Sequence, residues 1–379
     1  MTDIVIAGYK RSPFHFANKG QLIGTRPDDL AGMVVKALVD ETGVDPEAIE
    51  DVIVGCAFPE AEQGFNVARI ISFLAGLPQS AGGVTVNRFC GSSMQAIHQA
   101  AGAIMMGAGE AFVCAGVESM SRVPMGGFNP MPNPGLMQTF PDIYLSMGET
   151  AENVAGQYAL SRREQEAFAV RSQAKAAAAR EAGRLAGEIV AIATETGTLA
   201  RDGCLRPETS AEGLAGLKPA FRPDGTVTAG TSSPLTDGAA AVLVTRGDFA
   251  RAQGLPVLAR IRAIAVSGCA PRIMGMGPVG ASRKALARAG IAAEDIDIVE
   301  INEAFASQAM ASLRELSLPE EKANLDGGAI AIGHPLGATG ARITGKAAAL
   351  LRREGGRFAL ATQCIGGGQG IATVLEAVA

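Results

Sequence analysis

The sequence predicts an α/β fold built from two similar halves, with a further segment inserted between them. Short β-branched runs alternate along the chain with alanine-rich stretches at the spacing typical of βα units. One segment of the first half is also repeated in the second half. With 379 residues, the chain is long enough for two or three domains.

The strands and the repeat define the two halves. The clearest predicted strands are four β-branched runs, at 52–54, 84–86, 298–301 and 358–362. GVDPEAIEDVIVGCAF at 43–58 aligns without gaps on GIAAEDIDIVEINEAF at 290–305. Since a repeat this long is not a solenoid unit, we expect a duplicated core of two α/β halves stacked on each other.

The character of the chain changes between the halves. The stretch after residue 119 is rich in Pro, Gly and Met, and Ser161-x-x-Glu164 is a capping box that predicts the start of a long helix. We therefore expect an N-terminal half of residues 1–118 plus 245–264, an inserted loop domain of 119–244, and a C-terminal half of 265–379.

Composition narrows the possible functions. The formal net charge of −5 gives no chain-wide positive field that would attract nucleic acid or an anionic membrane. The start of the chain lacks the pattern of a signal peptide, and no run of about 18 apolar residues could span a bilayer. The 6 cysteines lie far apart, so we expect free thiols and a cytoplasmic protein.

The first candidate site residue is Cys90, in TVNRFCGSSMQAIHQAAGAIM. A predicted strand over 84–88 ends just before it and a helix follows from Gly91, so the thiol faces free N–H groups and the positive end of the helix. Both features stabilise a thiolate and predict a lowered thiol pKa. We interpret Cys90 as a nucleophile; the alternative is a small buried apolar side chain.

The second candidate is His334, in GGAIAIGHPLGATGAR. Pro335 suits the first position of a helix, which places His334 at the N-cap with its ring projecting from the helix end. The chain has 3 histidines. Because His98 lies within the helix that follows Cys90, packing explains it better, and His334 is the better candidate for a base.

The third candidate is CIGGGQG at 364–370, where Cys364 ends a predicted strand. The small residues that follow have free N–H groups that suit an oxyanion hole, and a plain glycine hairpin is the alternative. The repeat places Cys90 and His334 at the starts of equivalent helices that face each other. Asn302, at the end of a predicted strand, is then directed at the same space.

These motifs resemble those of the thiolase family. CGSSMQA, NEAF, GGAIAIGHPLGATGAR and CIGGGQG are similar to its catalytic motifs, VTAGTSSPLTDGAAA resembles its CoA-binding segment, and the likeness covers essentially the whole chain. The resemblance implies a thiolase fold, with a five-layered αβαβα core and an inserted loop domain that holds CoA. It also implies CoA-dependent thiolytic cleavage of a 3-ketoacyl-CoA through an acyl-cysteine.

The resemblance implies a role for each residue that occupies the position of a functional residue in the family motifs. The resemblance implies that Cys90 becomes acylated, that His334 activates it, and that Cys364 moves the proton at the substrate α-carbon. Asn302 matches a residue that holds a water, which forms one oxyanion hole with the histidine, and the N–H groups of Cys90 and Gly366 form the other. Two holes are needed because the reaction generates two oxyanions. The matching CoA-binding positions are Arg206, Phe221, Ala229, Ser233, Met147 and Met274.

One feature distinguishes the favoured subclass from its alternative, and one feature argues against each rival function. Biosynthetic acetoacetyl-CoA thiolases, the alternative, typically carry histidine where this chain has Ser146, so we favour a degradative 3-ketoacyl-CoA thiolase. A ketoacyl synthase would not need a second cysteine such as Cys364. A Cys/His/Asn hydrolase would act without free CoA, and a non-enzymatic CoA-binding relative would have lost a catalytic motif.

The resemblance also implies partners. We expect acyl-CoA and CoA as substrates, no metal and no permanently bound cofactor. The family forms homodimers and homotetramers and sometimes joins a larger β-oxidation complex, so we expect a homo-oligomer.

Overall fold

The computed structural model describes residues 3–195 and 197–378 and confirms the α/β class. The strands are β1 Ile4–Arg11, β2 His15–Phe16, β3 Ile49–Gly55, β4 Gly82–Val86, β5 Ala111–Ser119, β6 Ile192–Thr194, β7 Gly197–Leu199, β8 Thr236–Arg246, β9 Ala259–Gly268, β10 Ile298–Ile301, β11 Phe358–Ile365 and β12 Gln369–Glu376. The α-helices are α1 Pro27–Thr42, α2 Val67–Leu74, α3 Ser92–Met105, α4 Pro134–Thr139, α5 Met147–Gln157, α6 Arg162–Glu181, α7 Ala211–Ala215, α8 Gly247–Gln253, α9 Gly277–Ala289, α10 Ala306–Glu315, α11 Ala329–Ile332 and α12 Leu336–Glu354.

The main sheet runs through both halves of the chain. Its strand order is β10-β11-β12-β9-β1-β8-β5-β3-β4, with β2 added beside β8. The two halves meet where β1 pairs with β9, through Val5 opposite Arg260 and Ile6 opposite Ala259. Each half also contains parallel neighbours, β3 with β5 in the first and β10 with β11 in the second.

Helices cover both outer faces of the sheet and fill the space between its halves. One apolar core lies between α1, α2 and the first half, a second surrounds α3 and α12 between the halves, and a third lies between the second half and α9 with α10. Successive side chains of β5 point to opposite faces, as strand geometry requires, so Val113 joins the outer core and Cys114 the central one. The result is the predicted five-layered αβαβα core.

The duplicated segments have the same local structure. Helices α1 and α9 each end at a glycine in the left-handed conformation, Gly43 and Gly290, both with φ of 70°. Glycine is favoured there because it has no Cβ to clash with the backbone. A single 3₁₀ turn follows in each half, Pro46–Ala48 or Ala293–Asp295, and then β3 or β10 begins.

The segment between the halves contains the predicted long helix, α6, and its capping box. The Ser161 Oγ accepts a hydrogen bond from the Glu164 N–H at 3.3 Å, and the Glu164 carboxylate accepts one from the Ser161 N–H at 2.8 Å. After this segment the chain returns to the main sheet as β8, between β1 and β5. Within residues 3–195 and 197–378, no helix is both long and apolar enough to cross a membrane.

Candidate active site

A cavity of about 590 Å³ brings the predicted site residues together. Cys90, His334 and Cys364 all line it. The predicted CoA-binding residues also line it: Arg206, Phe221, Ala229, Ser233, Met147 and Met274. Two other predicted site residues contact residues that line the cavity. Asn302 contacts His334, and the Gly366 N–H points at Cys90.

Cys90 lies in a constrained turn. The 3₁₀ turn Phe89–Gly91 connects β4 to α3, so the helix begins two residues after the cysteine. Phe89 has a φ of +44°, which costs energy in a residue with a side chain. Hydrogen bonds hold this conformation, since Asn87 Oδ1 accepts from the Phe89 N–H at 2.8 Å and Ser92 Oγ donates to the Phe89 carbonyl at 2.6 Å.

The Cys90 thiol does not have the lowered pKa that its position near a helix start predicts. Burial raises the pKa of Cys90 to about 12, although the backbone N–H groups of Gly366 and Cys90 act in the opposite direction. The prediction is wrong because the residue is only 9% exposed, and the loss of hydration outweighs the stabilisation from the backbone. Cys90 is therefore a neutral thiol at rest, and a base must take its proton.

His334 is the base that the sequence predicts, and its ring is held by neighbouring residues. It precedes Pro335, and α12 begins at Leu336, one residue later than predicted. Its Nδ1 lies 2.6 Å from Thr339 Oγ1, whose hydroxyl donates to the Pro335 carbonyl at 3.0 Å. Thr339 must then accept from His334, which assigns the proton to Nδ1 and leaves Nε2 as the acceptor nitrogen.

The protonation state of His334 fits this assignment. Burial, together with the positive charge of Arg342, lowers the pKa of His334 to about 3. A buried imidazole resists becoming charged because the protein supplies less solvation than water. His334 is therefore neutral and able to accept a proton at neutral pH.

Asn302 completes the surroundings of the imidazole. It follows β10 directly, and its Nδ2 lies 3.2 Å from His334 Nε2. Asn302 Oδ1 is buried and has no protein hydrogen-bond partner among the described residues. It is therefore able to accept a hydrogen bond from a small molecule such as water.

Cys364 and the glycine run lie opposite Cys90. Strand β11 ends at Ile365 and β12 begins at Gln369, with Gly367 and Gly368 in the left-handed conformation, so the run is a hairpin turn. The same turn also directs the Gly366 N–H at Cys90, and its role in an oxyanion hole stays a prediction. Burial raises the pKa of Cys364 well above its ordinary value, and the nearby Cys90 adds to that effect.

Neighbouring aromatic rings contact two of the side chains that are expected to bind CoA. The Phe221 ring packs edge-on against Phe305, with centroids 5.8 Å apart, and the Arg206 guanidinium lies 4.9 Å from the Phe16 ring centroid. Ser146, which replaces the histidine of the alternative subclass, caps α5 by accepting a hydrogen bond from the Glu149 N–H at 3.3 Å.

Sequence reasoning missed residues that position the catalytic groups. Thr339 is one; it follows His334 by about one helical turn, which is a signal that could have identified it. Glu118 is another, a carboxylate inside an apolar strand that accepts hydrogen bonds from the N–H groups of Ala57 and Gly337, at 2.8 and 2.9 Å. Glu118 thereby ties the first half to the start of α12. Gln363 also donates to the carbonyl of Cys90.

The remaining candidates behave as packed residues. His98 is buried, with its Nε2 2.9 Å from Thr373 Oγ1, as predicted. The 6 cysteines are all unpaired: Cys56, Cys90, Cys114, Cys204, Cys269 and Cys364.

Two buried cysteines and a neutral histidine, held at the junction of two duplicated α/β halves, define an acyltransferase of the thiolase type. The chain belongs to the thiolase family. The family model described as Thiolase, N-terminal domain matches residues 4–248, and the one described as Thiolase, C-terminal domain matches residues 255–377.

Several individual proteins that are similar to this chain are named 3-ketoacyl-CoA thiolase. A 3-ketoacyl-CoA thiolase of Shewanella sp. (strain MR-7) is 50% identical over 100% of both chains, and one of Bacillus subtilis (strain 168) is 47% identical over 99% of this chain and 100% of its own. The crystal structure of human mitochondrial 3-ketoacyl-CoA thiolase is 38% identical, with a TM-score of 0.92 over 100% of this chain and 99% of that chain. The same human enzyme in complex with CoA gives a TM-score of 0.91 at 38% identity, over 100% and 98% of the two chains.

Proposed function

We propose that this enzyme catalyses the CoA-dependent thiolytic cleavage of 3-ketoacyl-CoA to acetyl-CoA and a shortened acyl-CoA. The observation that carries the proposal is that Cys90, His334 and Cys364 line one cavity together with the expected CoA-binding residues. The full-length similarity to proteins named 3-ketoacyl-CoA thiolase supports it.

The first half-reaction transfers the acyl group to Cys90. His334 Nε2 takes the thiol proton as Sγ attacks the 3-keto carbon, and the N–H groups of Cys90 and Gly366 stabilise the resulting oxyanion. The bond between the α and β carbons then breaks, and its electrons form the enolate of acetyl-CoA. The protonated His334 and a water held by Asn302 stabilise that enolate, and the Cys364 thiol protonates its α-carbon.

The second half-reaction returns the enzyme to its resting state. The Cys364 thiolate takes the proton of the incoming CoA thiol, and the CoA sulfur attacks the acyl group on Cys90. The same two N–H groups stabilise the tetrahedral oxyanion. Cys90 leaves as a thiolate and recovers its proton from His334, which becomes neutral again.

CoA and the acyl chain would occupy the rest of the cavity. Arg206 would lie near the nucleotide and Phe221 beside the adenine or the pantetheine. Ala229 and Ser233 would follow the pantetheine arm, and Met147 and Met274 would lie at the acyl end. The inserted loop domain, residues 119–244, supplies all of these residues except Met274. We propose no permanently bound cofactor.

The degradative subclass and a homo-oligomeric state belong to the same proposal. The names of the similar proteins, and Ser146 in place of the histidine of the alternative subclass, favour degradation over acetoacetyl-CoA synthesis. Strand β4 lies at one edge of the sheet; its Val84 is 39% exposed, and Phe65, just before α2, is 96% exposed. An exposed apolar sheet edge is suited to pairing with a second copy. The cytoplasm would be the site of action.

Acylation of Cys90 tests the proposal directly. Incubation with acetyl-CoA, followed by peptide mass spectrometry, should place an acetyl group on Cys90 and on no other cysteine. Cys90→Ala should accumulate no acyl-enzyme, whereas Cys204→Ala, which removes another buried thiol, should be acylated as the wild type is. Acyl-enzyme in the Cys90 variant would refute the assignment.

A further inference from the structure

We propose that the buried ion pair between Glu300 and Arg342 is a positioning device that holds Asn302 against His334 during thiolysis. The inference rests on the proposed function. Neither residue lines the catalytic cavity, and both act through their neighbours. Arg342 Nη1 donates to Glu300 Oε2 at 2.9 Å, and the two side chains are 1% and 0% exposed.

The pair links the same two elements as the catalytic contact. Glu300 belongs to β10 and Asn302 follows it by two residues, so their side chains point to the same face of the strand. His334 immediately precedes the start of α12, and Arg342 lies within that helix. The Asn302–His334 contact at 3.2 Å and the Glu300–Arg342 bond therefore fix the strand against the helix at two points.

Strand β10 needs such a fixed point because it lies at the end of the sheet. Its only ladder within the described part of the chain is the parallel pairing with β11. On the other side it meets one isolated bridge, Val299 with Ala323, and the Asn324 side chain, which bonds the backbone of Ile301. These bonds are fewer than those of a full strand ladder, and the ion pair adds a further fixed point between β10 and the helix packed on its face.

A contribution to the stability of the fold does not by itself explain why Glu300 and Arg342 form a buried ion pair. Removing two charges from water costs several kcal/mol, and apolar residues of similar volume often replace a buried pair without loss of stability. What an apolar pair lacks is the fixed geometry of a hydrogen-bonded guanidinium and carboxylate. That difference allows the positioning role to be separated from a structural one.

The charged groups around Glu300 determine the pH at which the variants should be compared. Arg342 and Lys346 face it from α12, and Asp326, Glu188 and Tyr9 approach from other segments. Burial raises the pKa of Glu300 to about 7, so the carboxyl is ionised and the pair is complete at pH 8.5. Thiolysis kinetics should therefore be compared at that pH.

The test uses a neutral replacement of the whole pair. Glu300→Leu combined with Arg342→Met should unfold at the wild-type urea concentration or above it, while kcat falls about 10- to 100-fold, as expected for a small displacement of a catalytic group. The KM for CoA should change less than about threefold, since no CoA-binding group is altered. Arg353→Met, which breaks an ion pair between the same helix and Asp326 but does not act on Glu300, should lower stability slightly and leave kcat unchanged.

A conservative variant provides an independent outcome. One hydrogen bond joins the pair, since Arg342 Nε and Nη2 and Glu300 Oε1 have no hydrogen-bond partner among the described residues. Arg342→Lys keeps the charge and a donor but lacks the rigid planar group that places the donor, so its kcat should lie between those of the wild type and the double variant. A wild-type kcat in either the stable double variant or Arg342→Lys would overturn the positioning role. Absence of thiolysis in the wild-type enzyme would instead refute the proposed function.

Discussion

Deleting the Thr339 hydroxyl should disable His334 without touching the substrate. Thr339→Val keeps the shape of the side chain but removes the acceptor that lies 2.6 Å from His334 Nδ1. Because both residues are buried, with Thr339 at 0% and His334 at 4% exposure, solvent does not readily replace that acceptor. The proton on Nδ1 then loses its partner.

The size of the effect follows from the cost of that unpaired group. A buried N–H without an acceptor costs about 1–3 kcal/mol, and the imidazole avoids the cost by moving the proton to Nε2. In that tautomer Nε2 cannot accept the Cys90 proton. A preference of about 1–3 kcal/mol for the wrong tautomer reduces the competent fraction about 5- to 150-fold, so kcat/KM should fall by that factor.

A matched variant on the same helix separates this effect from a loss of stability. Thr344 is equally buried, and its Oγ1 donates only to the Gly340 carbonyl, at 2.7 Å. Thr344→Val should therefore lower stability by about 1 kcal/mol but leave the rate of Cys90 acylation unchanged. Thr339→Ser, which keeps the hydroxyl, should stay within about threefold of the wild type. If Thr339→Val acylates Cys90 at the wild-type rate, the tautomer argument is incorrect.

Three further predictions concern Cys364, the length of the substrate acyl chain and His98. Cys364→Ala should still be acylated at Cys90 but should lose deuterium exchange at the α-carbon of acetyl-CoA; normal exchange without acylation would reverse the two roles. The kcat/KM for 3-ketooctanoyl-CoA should exceed that for acetoacetyl-CoA about tenfold or more, because each buried methylene contributes up to about 0.8 kcal/mol; a flat series would indicate the acetoacetyl-CoA subclass. Burial lowers the pKa of His98 to about 3, so the unfolded chain binds more protons below about pH 6.5 and stability is lost as pH falls. The free energy of unfolding, measured in urea, should therefore decrease between pH 7 and pH 5 by about 2 kcal/mol less in His98→Gln than in the wild type. An equal decrease in the two proteins would contradict the lowered pKa of His98.

The fold and the main site residues could be predicted because their signals are local or repeated. A strand that runs into a cysteine, and a proline that begins a helix after a histidine, are visible within a few residues of Cys90 and His334. The repeat then supplied the long-range information, since equivalent helices in duplicated halves face each other. The two helix starts, at Ser92 and Leu336, each differ from the prediction by one residue.

The properties that failed prediction depend on contacts between distant segments. The pKa of Cys90 is set by burial under residues from both halves, which include Ala17, Ala57 and Leu336. Glu118 and Gly337 are separated by 219 positions along the chain, and the Glu300–Arg342 pair joins a strand to a helix 42 positions away. No local pattern in the sequence specifies which of many buried polar residues will meet.

The raised pKa of Cys90 explains how one turn can serve both the resting enzyme and the reaction. Without substrate, the N–H groups of Gly366 and Cys90 point at the neutral sulfur, which is a weak acceptor. A bound carbonyl that becomes an oxyanion is a far stronger acceptor, so the same N–H groups bond more strongly to the transition state than to the resting thiol. Because His334 is also neutral at rest, no charge has to be buried until the substrate arrives to share it. Under the proposed mechanism, the cavity therefore favours ionisation of Cys90 only in the step that forms the acyl-enzyme.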